Sequence, residues 1–170
     1  GPDQLHGFER RLTPELYPSD FSWTPDWSKG PVHNPGTAVD QLRTSGVCDW
    51  NLQLDYDEEV QHRSLEFLRD AARRKDDGKP FFLCASYTHP HEPFITTKEW
   101  WDLYDDEAID RPSVPKGPTE AMHPFNQWLQ YHHMVDEYSL SDDHIRNSRH
   151  AYYAMVSYFD HQVGELVGEL

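Results

Sequence analysis

Residues 80–94 read Pro80-Phe81-Phe82-Leu83-Cys84-Ala85-Ser86-Tyr87-Thr88-His89-Pro90-His91-Glu92-Pro93-Phe94. Phe81 to Tyr87 is short, mostly apolar and bounded by Pro80, which is the pattern of a strand buried on both faces. Upstream, Asp76-Asp77-Gly78-Lys79-Pro80 stops a helical stretch. Downstream, Thr88 to Thr96 holds two prolines and two histidines and reads as a loop at the C-terminal end of the strand. A helix, a Gly-Pro turn and a buried strand make an α/β pattern. In open α/β sheets ligands collect beyond that strand end. One stretch therefore points to the fold class and to the place where chemistry is sought.

Working outward, Asp55-Tyr56-Asp57-Glu58 resembles a capping box, an acceptor followed three residues later by Glu. Val60, Leu65, Phe67 and Leu68 follow at roughly helical spacing, and Arg73-Arg74-Lys75 closes the helix with charge that complements its dipole. Residues 1–50 are broken by Pro2, Pro14, Pro18, Pro25, Pro31 and Pro35 and read as an ordered loop layer. Trp23, Trp27 and Trp50 are expected to pack that layer onto other elements. On the other side, Thr97 is placed to cap a short helix through Tyr104, 105–118 is loop, and 119–138 is partly helical. The last helix starts at Ser141 or Asp142, with Ile145, Arg149, Tyr152, Met155, Val156, Phe159, Val163, Leu166 and Leu170 on one face.

Charge narrows the classes of partner. The 170 residues carry 15 Lys and Arg against 30 Asp and Glu, a net charge of −15. Nucleic-acid binding needs a basic patch, and anionic membranes attract basic segments, so both partners are excluded. The longest apolar run, Phe81 to Ala85, is far short of the roughly 20 residues that span a bilayer. Eight Phe, six Trp and nine Tyr oppose disorder despite the acidity. Cys48 and Cys84 form no disulfide framework and no Cys-x-x-Cys pair, which fits a reducing, cytoplasmic compartment.

The imidazoles of His89 and His91 are the densest chemical signal. Held on a proline-stiffened loop, they can bind an oxyanion, shuttle a proton or ligate a metal. Their spacing does not match the His-Glu-x-x-His zinc helix. A histidine hydrogen-bonded in a structural turn is the alternative. Asp142-Asp143-His144 reads as a helix entry, Asp105-Asp106-Glu107 as a solvated acidic turn, His132-His133 as an amphipathic surface, and His161 as a packing or surface residue.

The stretch 80–94 resembles the central strand and following His-x-Pro loop of the sulfatase family. Gly1-Pro2-Asp3-Gln4-Leu5-His6-Gly7-Phe8 looks like the segment after that family's Lys-x-His motif, and Tyr152 to Leu166 is similar to the helix before its second metal-binding strand. The three matches occur in the family's order. The resemblance implies a partial alkaline-phosphatase-like α/β sandwich, in which a central strand carries flanking helices and long ordered loops. It makes 1–170 an internal segment of a single sulfatase catalytic domain, incomplete at both ends.

Within the family the chain resembles choline sulfatases, through Tyr17-Pro18, Asp20-Phe21, Trp23-Thr24-Pro25-Asp26, His33-Asn34, the His-Pro-His loop and Trp100-Trp101-Asp102-Leu103-Tyr104. The resemblance implies that Trp23, His33 and Asn34 line a pocket for a trimethylammonium head. An aromatic face attracts such a cation by about 0.5–2 kcal/mol, most when desolvated. Packing of the loop on the core is the alternative for Trp23. By the same resemblance His91 is catalytic, donating to a non-bridging sulfate oxygen or assisting the leaving alkoxide. His89 joins the substrate-binding side, either by supporting a site residue or through a structural hydrogen bond.

The implied reaction is hydrolysis of a small alkyl sulfate ester, choline sulfate first, through a formylglycine nucleophile and Ca²⁺ or Mg²⁺. Neither Cys48-Asp49-Trp50-Asn51-Leu52 nor Cys84-Ala85-Ser86-Tyr87-Thr88 fits the Cys/Ser-x-Pro-x-Arg signature of that nucleophile, and the family's Asp-Asp and Asp-His/Asn-Gly metal pairs are absent. No metal ligand is assigned in this chain, and the 170 residues alone are expected to be inactive. Two other functions fit: a phosphonate monoester or phosphodiester hydrolase of the same superfamily, or a non-catalytic ammonium- or sugar-binding module. The expected partner is a small-molecule sulfate ester, and a homo-oligomer is left open.

Overall fold

The computed structural model describes residues 5–14, 16, 28, 39–74, 79–115 and 117–170. A 3₁₀ turn at Val39–Thr44 leads into the two-residue strand β1 (Gly46–Val47), and helix α1 follows at Leu52–Arg73. After the decisive stretch come β2 (Ile95–Thr96) and the single-turn helix α2 (Lys98–Trp101). Short 3₁₀ turns at Asp106–Ala108 and Thr119–Ala121 precede α3 (Pro124–His132) and the long α4 (Asp142–Glu169). The architecture is mixed α/β, with β1 and β2 paired in parallel, Gly46 opposite Ile95 and Val47 opposite Thr96.

The described residues divide into two compact units. One is built from Trp50–His89 and Val156–Leu170, with the described residues of 1–24. The other is built from Pro90–Met155, with the described residues of 25–49.

In the first unit, α1 begins four residues before the start that a cap at Asp55 implies. Its cap is Asn51, whose side-chain oxygen accepts the Leu54 N–H at 2.9 Å. A cap of this kind is worth about 1 kcal/mol. Asp55 instead lies in the first turn, where a negative charge favours the helix dipole. The buried stripe of α1 is Leu54, Asp57, Val60, Gln61, Ser64 and Leu68. Its steps of three and four are helical, but half of its members are polar.

The stretch 81–87 departs from expectation. It joins no ladder among the described residues, and Phe82 is 78% exposed. Exposure still alternates: Leu83, Ala85 and Tyr87 are half-buried, while Phe82, Cys84 and Ser86 are exposed. That period of two is the signature of an extended chain. A buried strand needs neighbours on both edges to satisfy its backbone, and the described residues supply none here. Phe81 packs edge-on against Phe67 of α1, with ring centroids 5.3 Å apart. Trp50, expected to pack inward, is 61% exposed; Trp23 and Trp27 lie outside the described residues.

The inward face of α4 is also rotated from the expected one. Buried positions are Ser148, His150, Ala151, Ala154, Met155, Tyr158 and Gln162, while Tyr152, Val156, Val163 and Leu170 are exposed. A count of apolar residues misses this stripe because its larger members bury polar atoms that find partners. Ser141 caps α4 by accepting the His144 N–H at 3.2 Å, and its own N–H donates to His144 Nδ1 at 3.1 Å. This reciprocal cap accounts for Asp142-Asp143-His144 as a helix entry.

In the second unit the β1–β2 ladder holds the end of the loop. The Gly46 N–H donates to the Phe94 carbonyl at 3.0 Å and the Cys48 N–H to the Thr96 carbonyl at 2.8 Å. Gly46 has φ +152°, a backbone state that residues with a Cβ rarely adopt. His150 is buried, stacked on Trp101 with centroids 3.7 Å apart and planes 12° from parallel. Its Nδ1 meets the Asp106 carboxylate at 2.8 Å and its Nε2 the Trp101 carbonyl at 2.9 Å. Asp106 is therefore more than a solvated acidic turn; it holds α4 to the segment after α2.

Candidate active site in the loop of His89 and His91

In the first unit, Asp57 is a fully buried carboxylate at an inward position of α1. Its Oδ1 accepts the Thr88 N–H at 2.7 Å and the Thr88 hydroxyl at 2.8 Å. Its Oδ2 accepts the His89 N–H at 3.0 Å and His89 Nδ1 at 2.6 Å. Burial alone pushes the carboxyl pKa up, but the four donors, His89 Nδ1 foremost, outweigh it and leave it below the usual carboxylate value. With the Asp57 carboxylate ionised, Nδ1 is the donor in this bond. Nε2 is buried and has no hydrogen-bond partner among the described residues. The ring packs on Tyr158, with centroids 4.7 Å apart.

The same stripe of α1 continues the polar network. Gln61 Oε1 accepts the Tyr87 hydroxyl at 2.5 Å, and its Nε2 donates to the Gln162 carbonyl at 3.2 Å and to Glu165 at 2.9 Å. Glu58 accepts the Tyr158 hydroxyl and Gln162 Nε2, each at 3.0 Å. Burial, with Asp57 and the neighbouring glutamates, pushes the Tyr87 phenol up to about 12. Burial and Glu58 likewise push the Tyr158 phenol up. Both hydroxyls are therefore fixed donors at neutral pH.

In the second unit, His91 is open to solvent, with 61% of its side chain exposed. Its Nδ1 lies 2.8 Å from the Glu92 carbonyl, so Nδ1–H donates there and Nε2 is the ring nitrogen left for other contacts. The Glu92 carboxylate lies 3.3 Å from the same Nδ1. The Glu92–Pro93 peptide is cis, and the chain then enters β2. An accessible imidazole with one nitrogen occupied can donate to an anion when charged or take a proton when neutral.

Of the residues expected at the site, His89 and His91 are described, and the structure gives them opposite environments. Trp23, His33 and Asn34 lie outside the described residues. Asp57 was not singled out by sequence reasoning. Its signal is a charged residue at an inward step of the α1 stripe, three residues after Leu54 and three before Val60.

Comparison with known proteins places the chain in a family. A sequence model of the sulfatase family matches residues 6–170. The chain belongs to the sulfatase family. It is 37% identical over 179 residues to the choline-sulfatase of Rhizobium meliloti (strain 1021), a match covering 100% of this chain and 34% of that protein. It is 33% identical over 172 residues to the iduronate 2-sulfatase of Homo sapiens, covering 85% of this chain and 30% of the relative. An arylsulfatase of Clostridium perfringens (strain 13 / Type A) is 28% identical over 119 residues, covering 64% of this chain and 21% of the relative. This sulfatase-family chain thus spans about a third of the length of the first two relatives. Its α/β fold is part of the alkaline-phosphatase-like architecture.

The described residues of this sulfatase-family chain do not by themselves make a site for the family's divalent metal. Among the described residues no three His, Cys, Asp or Glu side chains converge on a point that could hold one. Neither Cys48 nor Cys84 lies in the formylglycine signature. Asp57 is already saturated by four donors. No described helix is long and apolar enough to cross a membrane.

Proposed function

We propose that the protein is a sulfuric ester hydrolase and that these 170 residues form an internal segment of its single catalytic domain. The observation that carries the reading is the match to the sulfatase family along residues 6–170, which includes the exposed His91 loop. In this reading Nε2 of His91 meets the sulfate ester. Charged, it donates to a non-bridging oxygen or to the leaving alkoxide as negative charge builds there. Fixed donors of this kind contribute about 100-fold or more to rate. His89, closed off from solvent, serves the same loop indirectly.

Choline sulfate is the leading substrate, on the 37% identity to a choline-sulfatase. Trp23, His33 and Asn34 would face its trimethylammonium group. The Ca²⁺ or Mg²⁺ and the formylglycine implied by the family would come from residues beyond this chain, so the 170 residues alone should give no turnover. Two cysteines free of any disulfide support a cytoplasmic site of action.

The test is steady-state kinetics on the full-length enzyme with choline sulfate, an aryl sulfate and phenyl phosphonate. Choline sulfate should give the highest kcat/KM. A dominant phosphonate rate would reassign the protein to phosphonate monoester hydrolysis, and no turnover of any ester would favour a binding module. Trp23→Ala should raise KM for choline sulfate by about 2- to 30-fold and leave an uncharged alkyl sulfate unaffected. Equal effects on both substrates would assign Trp23 to packing.

A further inference from the structure

We infer that Asp57 is a positioning residue for the proposed hydrolysis, fixing through Thr88 and His89 the backbone from which Pro90-His91 departs. The inference rests on the reading that His91 meets the sulfate ester.

Asp57 is buried, and all four donors it accepts come from two consecutive residues, each giving its backbone N–H and one side-chain donor. Each carboxylate oxygen serves one residue, Oδ1 for Thr88 and Oδ2 for His89. The peptide planes and side-chain torsions of both residues are thereby fixed together. The next residue is Pro90, whose ring fixes φ and so removes one further backbone torsion before His91. A buried carboxylate would be costly if its only task were to close a turn. An apolar residue at an inward helix position serves packing at least as well. A one-ångström error in the placement of a reacting group can cost a factor of about 100 in rate, which gives such a clamp a purpose.

The orphaned Nε2 of His89 supports the same assignment. The ring is buried, yet its second nitrogen makes no bond among the described residues. What the structure uses is Nδ1, the nitrogen that faces Asp57.

The test uses the full-length enzyme and a double-mutant cycle with choline sulfate. Asp57→Asn places an amide where two donors must be accepted. It should lower kcat by 10- to 100-fold and change KM by less than threefold. In a His91→Ala background the same substitution should lower kcat by less than twofold, because there is no imidazole left to misplace. A loss that merely reflects destabilised protein would be equal in both backgrounds, and that result, or wild-type kcat for Asp57→Asn, would overturn the inference. If Asp57→Asn yields no folded protein, the Thr88 pair decides. Thr88→Val, which removes one of the four donors, should lower kcat threefold or more, and Thr88→Ser should stay within twofold of wild type. Equal kcat for the two variants would overturn the inference. Should His91→Ala itself leave kcat unchanged, the reading of His91 fails and the clamp loses its object; a large His91→Ala effect with an inert Asp57→Asn removes only the clamp.

Discussion

His150→Leu isolates what a buried histidine contributes to the second unit. His150 is almost wholly buried, bonded through Nδ1 to Asp106 and through Nε2 to the Trp101 carbonyl, and stacked on the Trp101 ring. Each hydrogen bond is worth about 0.5–1.5 kcal/mol net, and the stacked pair about 0.5–1.5 kcal/mol. The Asp106 side chain is 60% exposed, so solvent screening holds that bond to the low end. The Trp101 carbonyl still accepts the Tyr104 N–H at 3.2 Å, so losing His150 does not leave it unsatisfied. Leucine fills most of the vacated volume, which keeps the cavity contribution small. The net cost should be about 2–3 kcal/mol, or roughly 30- to 150-fold in an equilibrium constant. Urea unfolding at constant m-value measures it, and amide exchange at Leu103 and Tyr104, whose N–H groups close the turn after α2, should quicken. A loss below about 0.5 kcal/mol, or unchanged exchange at both amides, would refute the account.

Three further outcomes follow from the first unit. Asn51→Ala removes the acceptor of the Leu54 N–H and should cost about 1 kcal/mol in urea unfolding, with Asn51→Asp close to wild type. Asp57 has a folded pKa below its ordinary 3.8, so the stability it contributes is present above that value and is lost as pH falls through the folded one. Urea midpoints should therefore drop below about pH 4, and Asp57→Asn should flatten that limb of the curve. Tyr87 runs the other way: its phenol ionises near 12 when folded and 10.0 when unfolded, so its contribution is complete below pH 10.0 and disappears as pH rises toward 12. Phenolate absorbance should show a late-titrating tyrosine that is missing in Tyr87→Phe.

Helices were legible in the sequence because their signals are local. The basic end of α1 and the Ser141 entry of α4 sit close to their expected places, as does the helical part of 119–138. The inward faces were less legible. Asp57, Gln61, His150 and Gln162 turn inward because each finds partners far along the chain, and a hydrophobicity pattern carries no information about those partners. The run 81–87 failed for a complementary reason. Its composition is that of a buried strand, but burial and pairing depend on neighbours that the described residues do not contain. Only the alternation of exposure survives, because it is a property of the extended backbone itself.

The site shows the same division between what two residues say and what their surroundings decide. In sequence His89 and His91 are near equivalents, both imidazoles on a proline-bounded turn. Burial separates them. His89 has its side chain closed off from solvent and its Nδ1 bound to a carboxylate, so turning its ring toward a substrate would break that bond to Asp57. His91 has its Nδ1 on a carbonyl one residue away and 61% of its side chain exposed, the accessibility that the proposed contact with a sulfate ester needs. A loop that must hold a reacting group still while leaving it accessible needs both conditions at once, and one residue cannot meet both. In the proposed reading Asp57 and His89 would meet the first and His91 the second, and the double-mutant cycle, rather than either single substitution, is the measurement that separates their roles.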